Sequence, residues 1–207
     1  MVKYKTNEFS VVYIYKNIDL FNMPLNEIKK EISINYNHTT NIIITQFPDI
    51  ITILLPTEQV FLTIENTKIV IINKKIGNLI DRKTNEFSKV CWKIYDVIKK
   101  ASELTAWGIN ITEGTDLSSK LLDKYINSSL HDIIGVVETD LKSSAIKINF
   151  TKNKFDYALD LIPFNNLINF HINKHLIGVN ELNNFESINS EIIKVQEELR
   201  EYIVKIV

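Results

Sequence analysis

His171, Asp156 and Asp160 are the side chains whose types and spacing could do chemistry. An imidazole oriented by a carboxylate makes a general acid or base, the pairing that a small hydrolase-type enzyme needs. Whether the three meet depends on the strands that carry them. Residues 145–150 and 155–161 flank a turn at 151–154, and a simple hairpin pairs Ile148 with Tyr157 and Ile146 with Leu159. The next hairpin pairs Leu159 with Phe170 and Tyr157 with Ile172. Both registers put the large apolar residues on one face. The other face holds Lys147, Asn149, Asp156, Asp160, Asn169, His171 and Asn173. His171 then falls opposite Ala158, with the two aspartates on its diagonals at roughly 7–8 Å. The same pattern also describes a solvated face whose Lys147 is neutralised by its aspartates.

The other reactive residue types have plainer uses. His171 and His175 have the spacing of a helical metal pair, but they begin in a strand, where four residues span about 13 Å, too far for one ion. Cys91 lies beside Phe87 and Ile94 on a helical stripe and reads as a buried structural thiol. Gly108, alone among apolar neighbours in a strand, marks a bulge or a close backbone approach. No phosphate-binding glycine loop, nucleophile elbow or zinc-type Cys/His spacing occurs, so no cofactor or metal is expected.

A second candidate surface comes from the first half. A two-residue turn at Asn66 and Thr67 pairs Ile64 with Ile69 and Leu62 with Ile71, and the preceding hairpin adds Ile53 and Ile51 to that face. The opposite face carries Leu54, Phe61, Val70 and Ile72, diluted by Thr52, Thr63 and the Glu65–Lys68 pair. A sheet apolar on both sides needs cover on both sides, and the helices supply one cover. The second half, another chain or a ligand must supply the other, which makes these four residues a candidate partner-binding patch. Phe61 is its natural anchor.

Charge sets further bounds. The 207-residue chain carries a net charge of −1, which removes the broad attraction most nucleic-acid binders use. The charge is unevenly placed. Between Lys68 and Lys100 nine basic residues face three acidic ones, and from Glu181 onward six acidic face three basic. Opposite signs would help the two closing helices lie side by side, or would steer a partner. Lys89, Lys93, Lys99 and Lys100 are the residues a nucleic-acid interface would use. A single cysteine excludes an internal disulfide and fits a reducing cytoplasm. No apolar run is long enough to cross a bilayer, and the N-terminus has no secretory core. The richness in Asn, Ile and Lys fits an AT-rich bacterial or phage genome.

The order of elements repeats. Strands at 11–15 and 105–111 each pass through polar residues into a helix, the first with Pro24 early in it and the second, 117–126, capped by Asp116. Four strands follow in each case: 42–46, 50–55, 59–65 and 68–73, then 132–139, 145–150, 155–161 and 168–173. Helices at 85–101 and 187–206 close the two passes, and the offset is about 95 residues. Residues 74–84 and 176–186 read as exposed connectors. This order, strand–helix–four strands–helix given twice, resembles the saddle of the TATA-binding protein and its fold relatives. The resemblance covers nearly the whole chain and rests on element order. It implies one continuous curved antiparallel sheet, backed by helices, whose open face grips DNA. That family's DNA face is basic and bears phenylalanines, whereas Lys147 is the basic residue expected on the second-half open face here.

The expected protein is therefore α+β, with two similar halves (1–102 and 103–207) forming one rigid body around an antiparallel sheet backed by helices. Its expected role is non-enzymatic: a protein-interaction module or assembly subunit, contacting a protein partner or another copy through the first-half apolar face. A nucleic-acid-binding saddle and an enzyme built on His171 are the alternatives.

Overall fold

The computed structural model describes residues 2–36, 41–74, 80–121, 145–177 and 184–206. In chain order these form β1 (Tyr4–Tyr15), α1 (Leu25–Asn35), β2 (Ile43–Gln46), β3 (Ile50–Leu55), β4 (Val60–Glu65) and β5 (Lys68–Asn73). There follow α2 (Ile80–Ile98), β6 (Leu104–Ser118), β7 (Ile146–Lys152), β8 (Phe155–Phe164), β9 (Leu167–Ile177) and α3 (Phe185–Ile206). The nine strands make one antiparallel sheet in the order β2-β3-β4-β5-β1-β6-β9-β8-β7. The α+β class and the antiparallel sheet expected from the sequence are both present. None of the described helices is long and apolar enough to cross a membrane.

Alternation decides which side of the sheet is core. Ile51, Ile53, Leu62, Ile64, Ile69 and Ile71 are buried, and β1 adds Phe9, Val11, Tyr13 and Tyr15. Fully burying such side chains contributes about 1.5–3 kcal/mol each. The helices meet that face with single apolar stripes: Ile28 and Ile32 on α1, Phe87, Cys91, Ile94 and Ile98 on α2, and Ile188, Ile192, Val195, Leu199 and Ile203 on α3. Phe9 meets Phe87 edge to face at 4.6 Å. The Tyr13 hydroxyl donates to the Cys91 carbonyl at 3.1 Å, and burial pushes the Cys91 thiol well above its ordinary range. A protonated, enclosed thiol is inert, so Cys91 is structural.

First-half pairing follows the sequence reading: Ile64 faces Ile69, Leu62 faces Ile71, and Ile53 and Ile51 continue that row. The second-half register differs by two residues. Ile148 pairs with Leu159 and Ile146 with Leu161, then Leu159 with Ile172 and Leu161 with Phe170. The turns are the reason. Asn153–Lys154 and Asn165–Asn166 are two-residue turns with all four φ angles between 49° and 68°, so Thr151 and Lys152 belong to the strand. Faces are unchanged, because a shift of two preserves the alternation.

Three further expectations are corrected. No helix starts at 117: β6 runs through Ser118 and helical backbone begins at Lys120. The ladders to β1 and β9 hold the strand, and Ser118 Oγ, not Asp116, accepts the Lys120 N–H at 3.3 Å. Asp116 Oδ1 accepts the Lys3 N–H at 2.9 Å instead. The connectors are shorter than expected, since α2 already begins at Ile80, β9 extends to Ile177 and α3 begins at Phe185. Pro24 stands at the N-cap of α1, one position before the helix. The strand expected at 132–139 and the rest of the second-half helix lie outside the described residues.

Beneath α3 the core is not purely apolar. Glu113 on β6 is fully buried and receives Arg200 Nε at 3.0 Å and Nη2 at 2.8 Å, Gln196 at 2.5 Å and Thr6 at 3.0 Å. Lys174 on β9, also fully buried, lies 2.5 Å from Glu191 and 3.5 Å from Glu198, over the rings of Phe155 and Tyr157. Burial alone would pull its pKa down, but hydrogen bonds to Glu191 and Tyr157 and the nearby carboxylates raise it overall. Both charges are thus paired and hydrogen-bonded, the condition for burying them. Arg200→Ala leaves the Glu113 carboxylate short of its bidentate partner. The expected cost is roughly 3 kcal/mol by urea denaturation, and a change under about 0.5 kcal/mol would show that Gln196 and Thr6 suffice.

Candidate functional site: the open face of the sheet

The three described helices pack on one face, and no described element covers the other. Cross-strand pairing arranges its side chains in rows. One row runs Ile43, Leu54, Phe61, Ile72, Ser10, Asn110, Asn173, Ala158, Asn149 across all nine strands. The first four are apolar, and the remainder are small or polar. Ile43 and Phe61 are 43% and 36% exposed, while Leu54, Val70 and Ile72 are half-buried. The four residues expected to form a partner-binding patch therefore do share one surface, beside Val12 of β1, which pairs with Val70. The described strands of the second half do not cover them, because they extend the same sheet sideways.

The polar half is internally bonded. Asn110 Nδ2 donates to Ser10 Oγ at 3.1 Å, and Asn173 Nδ2 donates to Asn110 Oδ1. Glu8, Thr112, His171, Asp160 and Lys147 line up in a neighbouring row. His171 faces Asp160 directly rather than Ala158, and Asp156 faces His175, which corrects the expected diagonal arrangement. The two-residue register shift is the cause. Thr112 Oγ1 meets His171 Nδ1 at 3.0 Å, and Lys147 pairs with Asp160 at 3.8 Å. Asp156 instead accepts from Thr151 Oγ1 at 2.8 Å. One concave region on this half is lined by His175 and Asp156 and another by Gly114 and Asn169, and His171 lines neither. The three catalytic candidates are therefore split between two rows. No group of three or more His, Cys, Asp or Glu placed to hold a metal occurs among the described residues.

Gly108 sits in the middle of this face between Val12 and His175. A Cβ there would lie 3.0 Å from the Lys174 carbonyl oxygen, so the glycine serves a close backbone approach, and the register carries no bulge at it.

The basic candidates lie elsewhere. Lys89 and Lys93 belong to α2 and Lys99 and Lys100 follow it, all in the helical layer away from the open face. Lys93 pairs with Glu31 at 3.3 Å and Lys99 with Asp96 at 2.6 Å, and Lys89 lies over the Phe185 ring of α3. The closing helices do lie side by side, and among the described residues Ser88 with Asn189 and this cation–aromatic contact join them. On the open face three lysines are matched by carboxylates, Lys68 with Glu65, Lys74 with Glu8 and Lys147 with Asp160, and Lys5 stands in the row of Gly114 and Asn169. The sequence reading weighed His175 only as half of a metal pair and did not single out Thr151 and Asn110, although alternation along β6, β7 and β9 places all three on this face.

No protein-family model matches the chain, and no curated protein matches it.

His171 is half-buried, and burial lowers its pKa from the ordinary value of 6.5 despite the raising influence of Asp160 and Glu8. Below pH 6.5 the unfolded chain therefore binds the proton more readily than the folded one, so stability is present above that value and falls with acidification through the folded pKa. His171→Gln is expected to flatten the acid limb of a denaturation series between about pH 5 and 7.5. An unchanged limb would assign it to other groups.

Proposed function

We propose that this chain is a non-enzymatic interaction module or assembly subunit whose contact surface is the apolar half of the open face. The carrying observation is the unbroken row Ile43, Leu54, Phe61 and Ile72 on four neighbouring strands, with Val70 and Val12 alongside and no described element over them. Contiguous apolar surface of this kind marks contact with another chain more often than it marks idle surface. Phe61 is the anchor, an aromatic ring in the middle of the patch with Lys74 Nζ 5.6 Å from its centroid.

Phe61→Glu tests this. The ring is over a third exposed and a lysine lies near it, so the variant is expected to stay folded, within about 1 kcal/mol of the parent. Light scattering of the pure protein and its retention of a partner from its own cell lysate are expected to show association that the variant weakens at least about tenfold. Loss of the circular dichroism spectrum would make the patch core. A parent that neither self-associates nor retains a partner would end the proposal.

The reading extends to ancestry and shape: two similar halves joined as a saddle like that of the TATA-binding protein. It is supported by the strand order outward from the centre, β1, β5, β4, β3, β2 in one direction and β6, β9, β8, β7 in the other. On this reading a chain of residues 1–102 alone exposes the β1 edge that β6 occupies, and it is expected to dimerise by pairing β1 with β1. A folded monomer of that segment by analytical ultracentrifugation would count against equivalent halves.

A further inference from the structure

The polar half of the open face contains a cup that the apolar contact does not use. It is built on a grid of six side chains from three strands: Asn149, Ala158 and Asn173 in one row, Thr151, Asp156 and His175 in the next. Ala158 is the small member, and its larger neighbours stand around it. The resulting hollow has a volume of about 380 Å³, enough for a group of several non-hydrogen atoms.

The chemistry of the rim is that of a hydrogen-bond acceptor. Asp156 uses one oxygen for the Thr151 hydroxyl at 2.8 Å, and among the described residues no lysine or arginine pairs with it. The neighbouring cation, Lys147, is turned to Asp160 in the next row. Asn173 spends its amide nitrogen on Asn110, itself held by Ser10, so its carbonyl oxygen remains to accept. Asp156 and Asn173 are diagonal neighbours on adjacent strands, their backbones roughly 7–8 Å apart on either side of the space left by Ala158, a gap that the N–H donors of an ammonium or guanidinium group seated there can bridge. Asn149 and His175 complete the rim with groups that can donate or accept.

We propose that this cup binds a positively charged nitrogen group, an ammonium or a guanidinium, through Asp156 and the Asn173 carbonyl oxygen, with Ala158 leaving it room. The group comes either from a small organic cation or from a lysine or arginine side chain of a protein. The site is independent of the apolar half, and Phe61→Glu leaves it intact.

The test uses the full chain, labelled with ¹⁵N and titrated with ethylammonium, ethylguanidinium, urea and a capped Gly-Arg-Gly peptide. Saturable shifts of the backbone amides of Asn149, Thr151, Asp156 and His175 are expected from a cation and not from urea. Asp156→Asn is expected to weaken the response at least about tenfold, and Ala158→Leu, which fills the cup, to remove it, with both variants still folded. Saturation by the simple cations assigns the source as a small molecule. Saturation by the peptide alone assigns it as a protein side chain. No saturable shift from any cation, an equal response to urea, or an Asp156→Asn variant that titrates like the parent would each overturn the proposal.

Discussion

β1 and β6 run antiparallel from Tyr4 against Thr115 to Tyr15 against Leu104, and every other strand is added outward from that pair. The pairing joins residues about a hundred positions apart, so the chain closes a long loop to make it, although that cost grows only logarithmically with length. Strong local reinforcement offsets it. On the helix side Thr6 of β1 and Glu113 of β6 are tied by hydrogen bond and gathered by Gln196 and Arg200 of α3. On the open side Asn110 of β6 bonds to Ser10 of β1. Without this pair the first four hairpin strands and the last three are separate sheets, each with an unpaired edge.

The two sides of that pair are built from different materials. Beneath α2 the sheet offers apolar side chains, which bind a helix strongly but with little preference for its axial position. Beneath α3 it offers Glu113 and Lys174, whose partners bracket the apolar stripe of the helix, Gln196 and Arg200 on one flank and Glu191 and Glu198 on the other. Such groups contribute little net stability, because desolvation offsets their attraction, but a displaced helix would leave a buried charge unpaired. They fix where α3 sits.

The limits of the sequence as a guide follow from the same geometry. Alternation separates core face from open face with period two, so it places Ile64 and Ile172 inward and Phe61 and His171 outward with no further information. It cannot distinguish registers that differ by two residues. That choice belongs to the turn. Asn66–Thr67 leaves one arrangement, and there the reading and the structure agree. At 151–154 a four-residue loop and a two-residue left-handed turn both preserve the faces, and the ability of Asn153 to take positive φ decides for the shorter turn; Asn165 and Asn166 set the next hairpin in the same way. His171 moves from Ala158 to Asp160 as a direct result. Helix propensity misled at 117–118 for a related reason: the strand ladders that hold β6 outweigh local preference, and nothing within the segment announces neighbours contributed from positions 4 and 167.

The open face combines these effects into a surface with a definite physical character. Three of its lysines and most of its carboxylates neutralise one another across strands, Lys68 with Glu65, Lys74 with Glu8 and Lys147 with Asp160. Exposed pairs of this kind add little stability, yet they remove the excess of either sign that long-range attraction to a polyelectrolyte requires. Recognition on such a face must come at short range, through removal of water from Phe61 and its neighbours or through hydrogen bonds to the fixed amides. Those two modes demand opposite properties of a partner. A dry contact over Ile43, Leu54, Phe61 and Ile72 penalises any unpaired polar group set against it, whereas Asn110, Asn173 and Asp156 penalise an apolar group that leaves them unbonded. A surface divided in this way orients whatever it binds, because turning the partner around exchanges every favourable contact for an unfavourable one.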